Sequence, residues 1–340
     1  MTIRSARATA HSNIALVKYW GKRDGADPAL NLPAVGSLSM TLDELRSVTE
    51  LHADTADRFV LDDVMLTGKP ATKVFAHLDL MWRRSGWPSA RPPCRVVSTN
   101  HLPTAAGLAS SASGFAALTV AAAGAFGLAT KLGDANDPVR GVLSALARQG
   151  SGSAARSLWG GFVRLDAGSD DQGRDCIARP IQPRDHWPLK LLVVHTARGA
   201  KAIASTGGME SSRLTSPYYP AWVETSPADL DAAEQALAQR QLALLGEVME
   251  HSCFKMHACM LATRPPLVYW NGTSLEVIRA VWLARERGLA GWVTSDAGPH
   301  VKVLCDAGQA TELARVLAAV PGVHEVQAVA PGPDASLELL

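Results

Sequence analysis

The sequence predicts an α+β protein built in two parts. Three observations carry that expectation. First, 340 residues with 47% hydrophobic and 19% charged content suit a soluble globular enzyme of one large or two medium domains. Second, residues 1–185 mix short strand-like runs, Gly/Pro turns and two helices. Third, a polar, turn-rich segment at 166–188 separates that part from a second one, in which strands alternate with helices. The expected domains are therefore 1–185 and 186–340.

In the first part, GLASSASGFAALTVAAAGAFGLAT (107–130) has no charge and is long enough to span a bilayer. Ala, Gly, Ser and Thr dominate it and supply little insertion energy, so it reads as a tightly packed core helix. VRGVLSALARQG (139–150) reads as a second helix with Val139, Val142, Leu143, Leu146 and Ala147 on one face. WGGFVRL (159–165) reads as a strand. Past the boundary, LKLLVVH (189–195) reads as a buried strand, and a long helical pattern runs over 229–252. TSLEVIRAVWLARERG (273–288) carries its own punctuation, with Thr273 and Glu276 as a capping box and Gly288 as the stop. LAGWVTS, HVKVLC and VHEVQAV read as strands, with a helix at 309–319.

The charge balance narrows the partners. Formal net charge is +1 with no block of like charges, which argues against a nucleic-acid footprint. The five cysteines are odd in number and scattered, so a reducing, cytoplasmic setting is expected rather than a disulfide framework. The N-terminus shows no signal-peptide pattern. His251, Cys253, His257 and Cys259 lack the usual spacing of a zinc site and read as part of an apolar helix.

Four stretches carry chemistry. In PTAAGLASSASG (103–114), Gly107 and Ala109 let the chain come close to a ligand, and Ser110 and Ser111 place hydroxyls at a helix start. There, unpaired N–H groups and the helix dipole favour an anion; alone, the stretch is as consistent with a plain N-cap. GSGSAARS (150–157) adds Ser151, Gly152, Ser153 and Arg156, whose guanidinium can grip a carboxylate or phosphate in a fork. In NIALVKYWGK (13–22), strand alternation puts Asn13 and Lys18 on opposite faces. A turn at Tyr19-Trp20-Gly21 would let both line a cleft, with Lys22 adding charge; otherwise the lysines are solvated on an edge strand. Finally, Asp296 in SDAGP (295–299) sits between a strand and a Gly-Pro turn, as either a site carboxylate or an ordinary turn residue.

Together these stretches closely resemble the diphosphomevalonate decarboxylases of the GHMP kinase superfamily. NIALVKYWGKRD, LPTAAGLASSASGFAAL, LARQGSGSAARSLWGGF, STGGM (205–209), TSPYYPAW (215–222), HACMLATRPPLVYWN (257–271) and SDAGP follow in family order from residue 13 to 299. The Gly-Leu-Ala-Ser-Ser loop is shared across the superfamily, whereas KYWGK, GSGSAARS and DAGP are specific to the decarboxylase branch. The resemblance implies a two-domain GHMP kinase fold. Its N-terminal domain would be like ribosomal protein S5 domain 2 and its C-terminal domain ferredoxin-like, with the active site in the cleft between them.

The resemblance also implies the chemistry. ATP would phosphorylate the 3-hydroxyl of (R)-5-diphosphomevalonate, and loss of that phosphate and CO2 would give isopentenyl diphosphate. Asp296 would orient the hydroxyl and take its proton, helped by Lys18 and Asn13, and Arg156 would clamp the carboxylate. Gly107, Ala109, Ser110 and Ser111 would cradle ATP. Tyr19, Lys22, Ser151, Gly152, Ser153, Ser205 and Thr206 would hold the diphosphate. Mg2+ is implied without assigned protein ligands, and a homodimer is implied by the family alone. Two departures stand out: His300 replaces the usual Asn after DAGP, and Ala155 stands where the family often has Cys. The alternatives are a phosphomevalonate decarboxylase or a mevalonate 3-kinase of the same fold.

Overall fold

The structure, a computed structural model, describes residues 3–101, 110–199 and 205–340, apart from the side chain of Ser110. The first sheet is built on two long strands, β1 (Ala6–Val17) and β2 (Ser37–Ala53), paired antiparallel. β3 (Arg58–Leu61), β4 (Val64–Leu66) and β5 (Cys94–His101) extend it beyond β2. β6 (Phe162–Leu165) pairs with β2 and with β7 (Ala178–Gln182). Three helices accompany this sheet: α1 (Lys69–Arg84), α2 (Ser110–Phe126) and α3 (Pro138–Gly150). The sequence reading missed α1, although Val74, His77, Leu78, Met81 and Trp82 fall on its buried side at helical spacing.

α2 explains its own composition. Ala116, Ala117, Val120, Ala121 and Ala123 share one core with Ala6, Ala8 and Ala10 of β1, so small side chains let the helix lie close on the sheet. Among the described residues, no helix is long and apolar enough to cross a membrane. α3 departs from its expected face, because Val142 is 59% exposed while Arg140, Ser144 and Arg148 are buried. Those three turn inward because loop carbonyls need donors: Arg140 serves Leu158 and Ala335, Ser144 serves Ala155, and Arg148 serves Gly173 and Cys176.

The second sheet is antiparallel, in the order β11-β8-β10-β9, from β8 (Leu189–His195), β9 (Gly291–Thr294), β10 (Val301–Asp306) and β11 (Glu325–Val329). Its alternation is clean. Leu189, Leu191 and Val193 enter one core, and Leu192 and Val194 enter another with α7 (Gly272–Glu286) and α8 (Ala310–Ala318). The first of these cores also takes Ile14, Leu16, Leu38 and Met40 from the first sheet. The two sheets are therefore joined by apolar packing rather than by a wet interface. The last strand, β12 (Ser336–Leu339), returns to pair with β1.

Two expected features change. The single pattern at 229–252 is two helices, α5 (Tyr219–Ala238) and α6 (Leu242–Leu261), because Arg240 takes a left-handed backbone at φ 55° and reverses the chain. α7 is capped by Asn271 and Ser274 rather than by Thr273 and Glu276. The Asn271 carboxamide accepts from Ser274 N at 2.8 Å, and Ser274 Oγ lies 2.6 Å from the Pro299 carbonyl. The cap thereby fastens α7 to the turn that carries Asp296. Gly288 ends the helix at φ +90°, as the sequence indicates.

Candidate active site

Asn13 and Lys18 reach the same side of β1 without a turn. The β1–β2 register slips between Ala15 and Val17, and one extra residue reverses the alternation. Leu16 and Val17 thus both point into the shared core, while Asn13 and Lys18 face the site. Lys18 directly follows β1 and is 1% exposed, so it is not a solvated lysine on an edge strand.

Lys18 Nζ donates to Asp296 Oδ1 at 2.8 Å and to its own strand at the Ala15 carbonyl. Lys302, on β10, donates to the other oxygen, Oδ2, at 3.2 Å. The Asp296 side chain keeps 36% of its surface open. Burial alone would raise its carboxyl, but Lys18 and then Lys302 hold it far below the usual carboxylate range. The turn itself is braced from behind. Cys253 Sγ receives Ser295 N at 3.1 Å, His257 Nε2 lies 3.4 Å from the Ser295 carbonyl, and Trp270 stacks on His257 at 4.0 Å. Cys253 and His257 are thus buttresses of the Asp296 turn, a role their spacing did not reveal. The His300 ring accepts from Thr196 N at 3.2 Å, which fixes the turn's far end.

Arg156 lies on a 3-10 segment, Gly152–Leu158, and is 2% exposed. Its guanidinium meets Asn13 Oδ1 at 3.2 and 3.3 Å and Ser37 Oγ at 2.6 Å, above the Tyr19 ring. Asn13 in turn donates to Ser157 Oγ and the Ser153 carbonyl. Among the described residues no carboxylate forms an ion pair with Arg156. Burial pushes it down to about 10, with the Tyr19 and Asp296 charges acting against that, so it stays cationic at neutral pH.

Tyr19 takes a hydrogen bond from Lys22 Nζ at 2.8 Å. Its hydroxyl occupies the space that a Cβ on Gly152 would need, 2.1 Å away. Gly21 is required twice over, by its φ of +95° and by the Tyr219 hydroxyl, 2.2 Å from where its Cβ would be. Ser205 and Thr206 open α4 (Ser205–Thr215). Met209 of α4 packs in one core with Trp20, which brings that helix to the same wall. Lys73, on the unforeseen α1, stands 4.6 Å over the Phe115 ring; partial desolvation there and the charge of Lys22 lower its pKa.

The second serine-rich loop meets the start of α2. Ser151 Oγ lies 3.4 Å from Ser111 Oγ at the exposed start of α2, and 3.4 Å from Ser153 Oγ. Ser113 plays a different part, with its buried hydroxyl between Ser12 and Ser47. Gly107, Ala109 and the side chain of Ser110 lie outside the described residues. Lys302 and Lys73 are the charged residues that sequence reasoning missed; the signal for Lys302 was one lysine inside the apolar run HVKVLC. Lys18, Lys302 and Arg156 thus surround one carboxylate, and Lys22 and Lys73 lie beyond them past Tyr19, in a chain whose net charge is only +1. Such a cleft attracts a multiply anionic substrate. Among the described residues no group of three or more His, Cys, Asp or Glu could hold a metal ion. A Mg2+ that arrives on phosphates takes one or two protein oxygens and keeps its waters, and the exposed Ser111 hydroxyl fits that demand.

Comparison with known proteins agrees along the chain. Residues 10–178 match the diphosphomevalonate decarboxylase-like N-terminal domain, and residues 191–334 match the mevalonate 5-diphosphate decarboxylase C-terminal domain. The diphosphomevalonate decarboxylase of Candida albicans is 36% identical over 318 residues, covering 89% of this chain and 84% of that one. The crystal structure of mevalonate diphosphate decarboxylase from Staphylococcus aureus superposes with a TM-score of 0.88 at 33% identity, covering 99% of this chain and 98% of that one. A structure of MDDEF in complex with MVAPP, AMPPCP and magnesium also gives 0.88, at 34% identity over the whole of both chains. The two-sheet architecture is the GHMP kinase fold of these enzymes. With both halves matched, the chain belongs to the diphosphomevalonate decarboxylase family.

Proposed function

We propose that this chain converts (R)-5-diphosphomevalonate and ATP into isopentenyl diphosphate, ADP, phosphate and CO2, with the residues above in the following roles. The observation that carries this reading is a buried guanidinium that pairs with no carboxylate among the described residues, beside a carboxylate that two lysines keep ionised. Arg156 would grip the C1 carboxylate, so the missing counter-charge arrives with the substrate. Asp296 would receive the 3-hydroxyl proton while the hydroxyl oxygen bonds to the γ-phosphorus and the bond to ADP breaks. A strongly acidic carboxylate suits this step. In a loose phosphoryl-transfer transition state the nucleophile gives up its proton late, so orientation counts for more than basicity. In the second step the C1–C2 bond breaks, its electron pair forms the C2–C3 double bond, and the C3 phosphate leaves. Arg156, held by Asn13 and Ser37, would keep the carboxylate aligned with that leaving group.

Tyr19, Lys22, Ser151, Gly152, Ser153, Ser205 and Thr206 would hold the diphosphate, with Lys73 at its rim. Ser111, with Gly107, Ala109 and Ser110, would hold the ATP phosphates; the contact of Ser111 with Ser151 supports this, since a transfer between two phosphorylated substrates needs the start of α2 beside the second loop. Mg2+, held by the phosphates and Ser111, would neutralise phosphate charge. We place the enzyme in the cytoplasm as a homodimer. Its five cysteines are all free and buried, which suits a reducing compartment. Leu275, Trp282 and Leu283 leave an exposed apolar stripe on α7 for a second copy.

The test offers mevalonate, its 5-phosphate and its 5-diphosphate, and follows ADP and CO2 together. Equal release of both, with the diphosphate strongly preferred, is expected. ADP without CO2 would make the chain a 3-kinase, and preference for the monophosphate would reassign its substrate.

A further inference from the structure

Among the described residues Lys302 is a buried cation of the cleft that touches no reacting group in the roles above. It lies on β10, opposite Val193 and Thr294 of the neighbouring strands, and is 2% exposed. Alternation places Val301 and Val303 in the core under α7 and α8, and Leu304 in the core shared by the two sheets. Lys302 therefore stands at a position on the Leu304 face that an apolar side chain would fill at much lower cost, since a buried ammonium forfeits several kcal/mol of hydration. Asp296 Oδ2 is its hydrogen-bond partner among the described residues. The carboxylate is thus held at both oxygens, by ammonium groups that come from different sheets.

Two consequences follow from this arrangement. A carboxylate held at one oxygen pivots about that bond, whereas one held at both has a fixed plane, and the remaining lone pairs point in fixed directions. The charge also differs. Lys18 and Asp296 alone would cancel, while with Lys302 the group keeps a surplus positive charge under the site. We propose that Lys302 is a positioning residue for phosphoryl transfer, fixing the Asp296 carboxylate from the side opposite Lys18 and leaving one net positive charge beneath the transferred group. This inference rests on the reading of Asp296 as the acceptor of the substrate hydroxyl.

The other titratable and charged groups facing the pair are Lys18 on β1, Cys253 and His257 on α6, His195 on β8 and Arg156. Burial keeps the His257 and His195 rings neutral and raises the Cys253 thiol, so none of these three supplies charge near neutral pH. Near neutral pH the charge at the site is therefore set by Asp296, Lys18, Lys302 and Arg156.

The experiment compares Lys302→Met, Lys302→Arg and Asp296→Asn by kcat, KM and thermal stability. In Lys302→Met, kcat is expected to fall roughly 10–100-fold, as for loss of a hydrogen bond to a charged group. KM for ATP and thermal stability should hold, and Lys302→Arg, which keeps the charge and a donor, should recover most of kcat. A wild-type kcat in Lys302→Met would overturn the proposal. So would activity lost in step with stability, or a kcat that Lys302→Arg recovers no better than Lys302→Met. If Lys302→Met fails to fold, Lys302→Gln is read in the same way. Wild-type ADP formation in Asp296→Asn would instead overturn the reading of Asp296 itself.

Discussion

Arg156 is costly to the empty protein, and under the proposed roles it is necessary to the loaded one. Its guanidinium is buried against Asn13, Ser37 and the Tyr19 ring, and on that reading the ion that balances it comes with the substrate. Lysine keeps the charge but loses the planar fork. Arg156→Lys is therefore expected to lower kcat/KM by about 10²-fold, the size for losing a bidentate hold on a carboxylate, with little change in melting temperature. Steady-state kinetics beside a thermal melt checks this. A melting temperature that drops in parallel with activity would make Arg156 a fold residue. The sequence showed this residue, Asp296 and Lys18 as candidates because arginine, aspartate and lysine among glycines and serines are conspicuous. It did not show Lys302, Cys253 or His257, since a lysine in a strand and a cysteine and histidine on an apolar helix look like ordinary residues until the fold brings them to one turn.

At the scale of elements, the site depends on backbone irregularities more than on regular structure. The slip in β1 between Ala15 and Val17 turns Lys18 inward, and the 3-10 segment from Gly152 brings Arg156 over the Tyr19 ring. Gly152 is the tightest of these joints, because a Cβ there would lie 2.1 Å from the Tyr19 hydroxyl. Gly152→Ala is expected to push the half-buried Tyr19 aside and break its bond with Lys22. KM for the diphosphorylated substrate should rise about tenfold, the value of one hydrogen bond to a charged group, while KM for ATP moves less. Measuring both constants decides it; an unchanged KM for the diphosphate would show that Tyr19 and Lys22 do not hold it. Strand alternation read from sequence could not place Asn13 and Lys18 together, because a bulge leaves no composition signal of its own.

Across the whole molecule, buried histidines set the acid limit of stability. His77, between α1 and α2, lies 2.8 Å from Thr119 Oγ1, and burial followed by the charge of Lys73 lowers it to about 4. His257 is lowered to about 3 by burial and then by Lys18. Both rings are neutral in the fold but take up a proton near their ordinary pKa of 6.5 when unfolded. Between pH 6.5 and 4 the unfolded chain therefore binds more protons, so stability is full above that window and is lost as pH falls through it. For His77 alone the loss by pH 4 is about 3 kcal/mol. Chemical denaturation across that range should show this slope, and His77→Gln should flatten it by about one proton. An identical slope in that variant would mean that His77 titrates normally in the fold.

The sequence by itself determined the α+β class, the helices and strands marked by their composition and length such as α2 and β8, the family, and the residue types at the site. Those are local properties: periodicity, punctuation, and motifs whose order survives in one dimension. Only the tertiary structure decided that Arg140, Ser144 and Arg148 face inward on α3, that Asn271 rather than Thr273 caps α7, and that Asp296 is held by two lysines from two sheets. In each case the deciding partner lies far along the chain: a loop carbonyl, the Pro299 carbonyl, or an ammonium on another strand. Local propensity gives way to such partners, because a buried polar group left unpaired costs more than a helix face or a cap is worth.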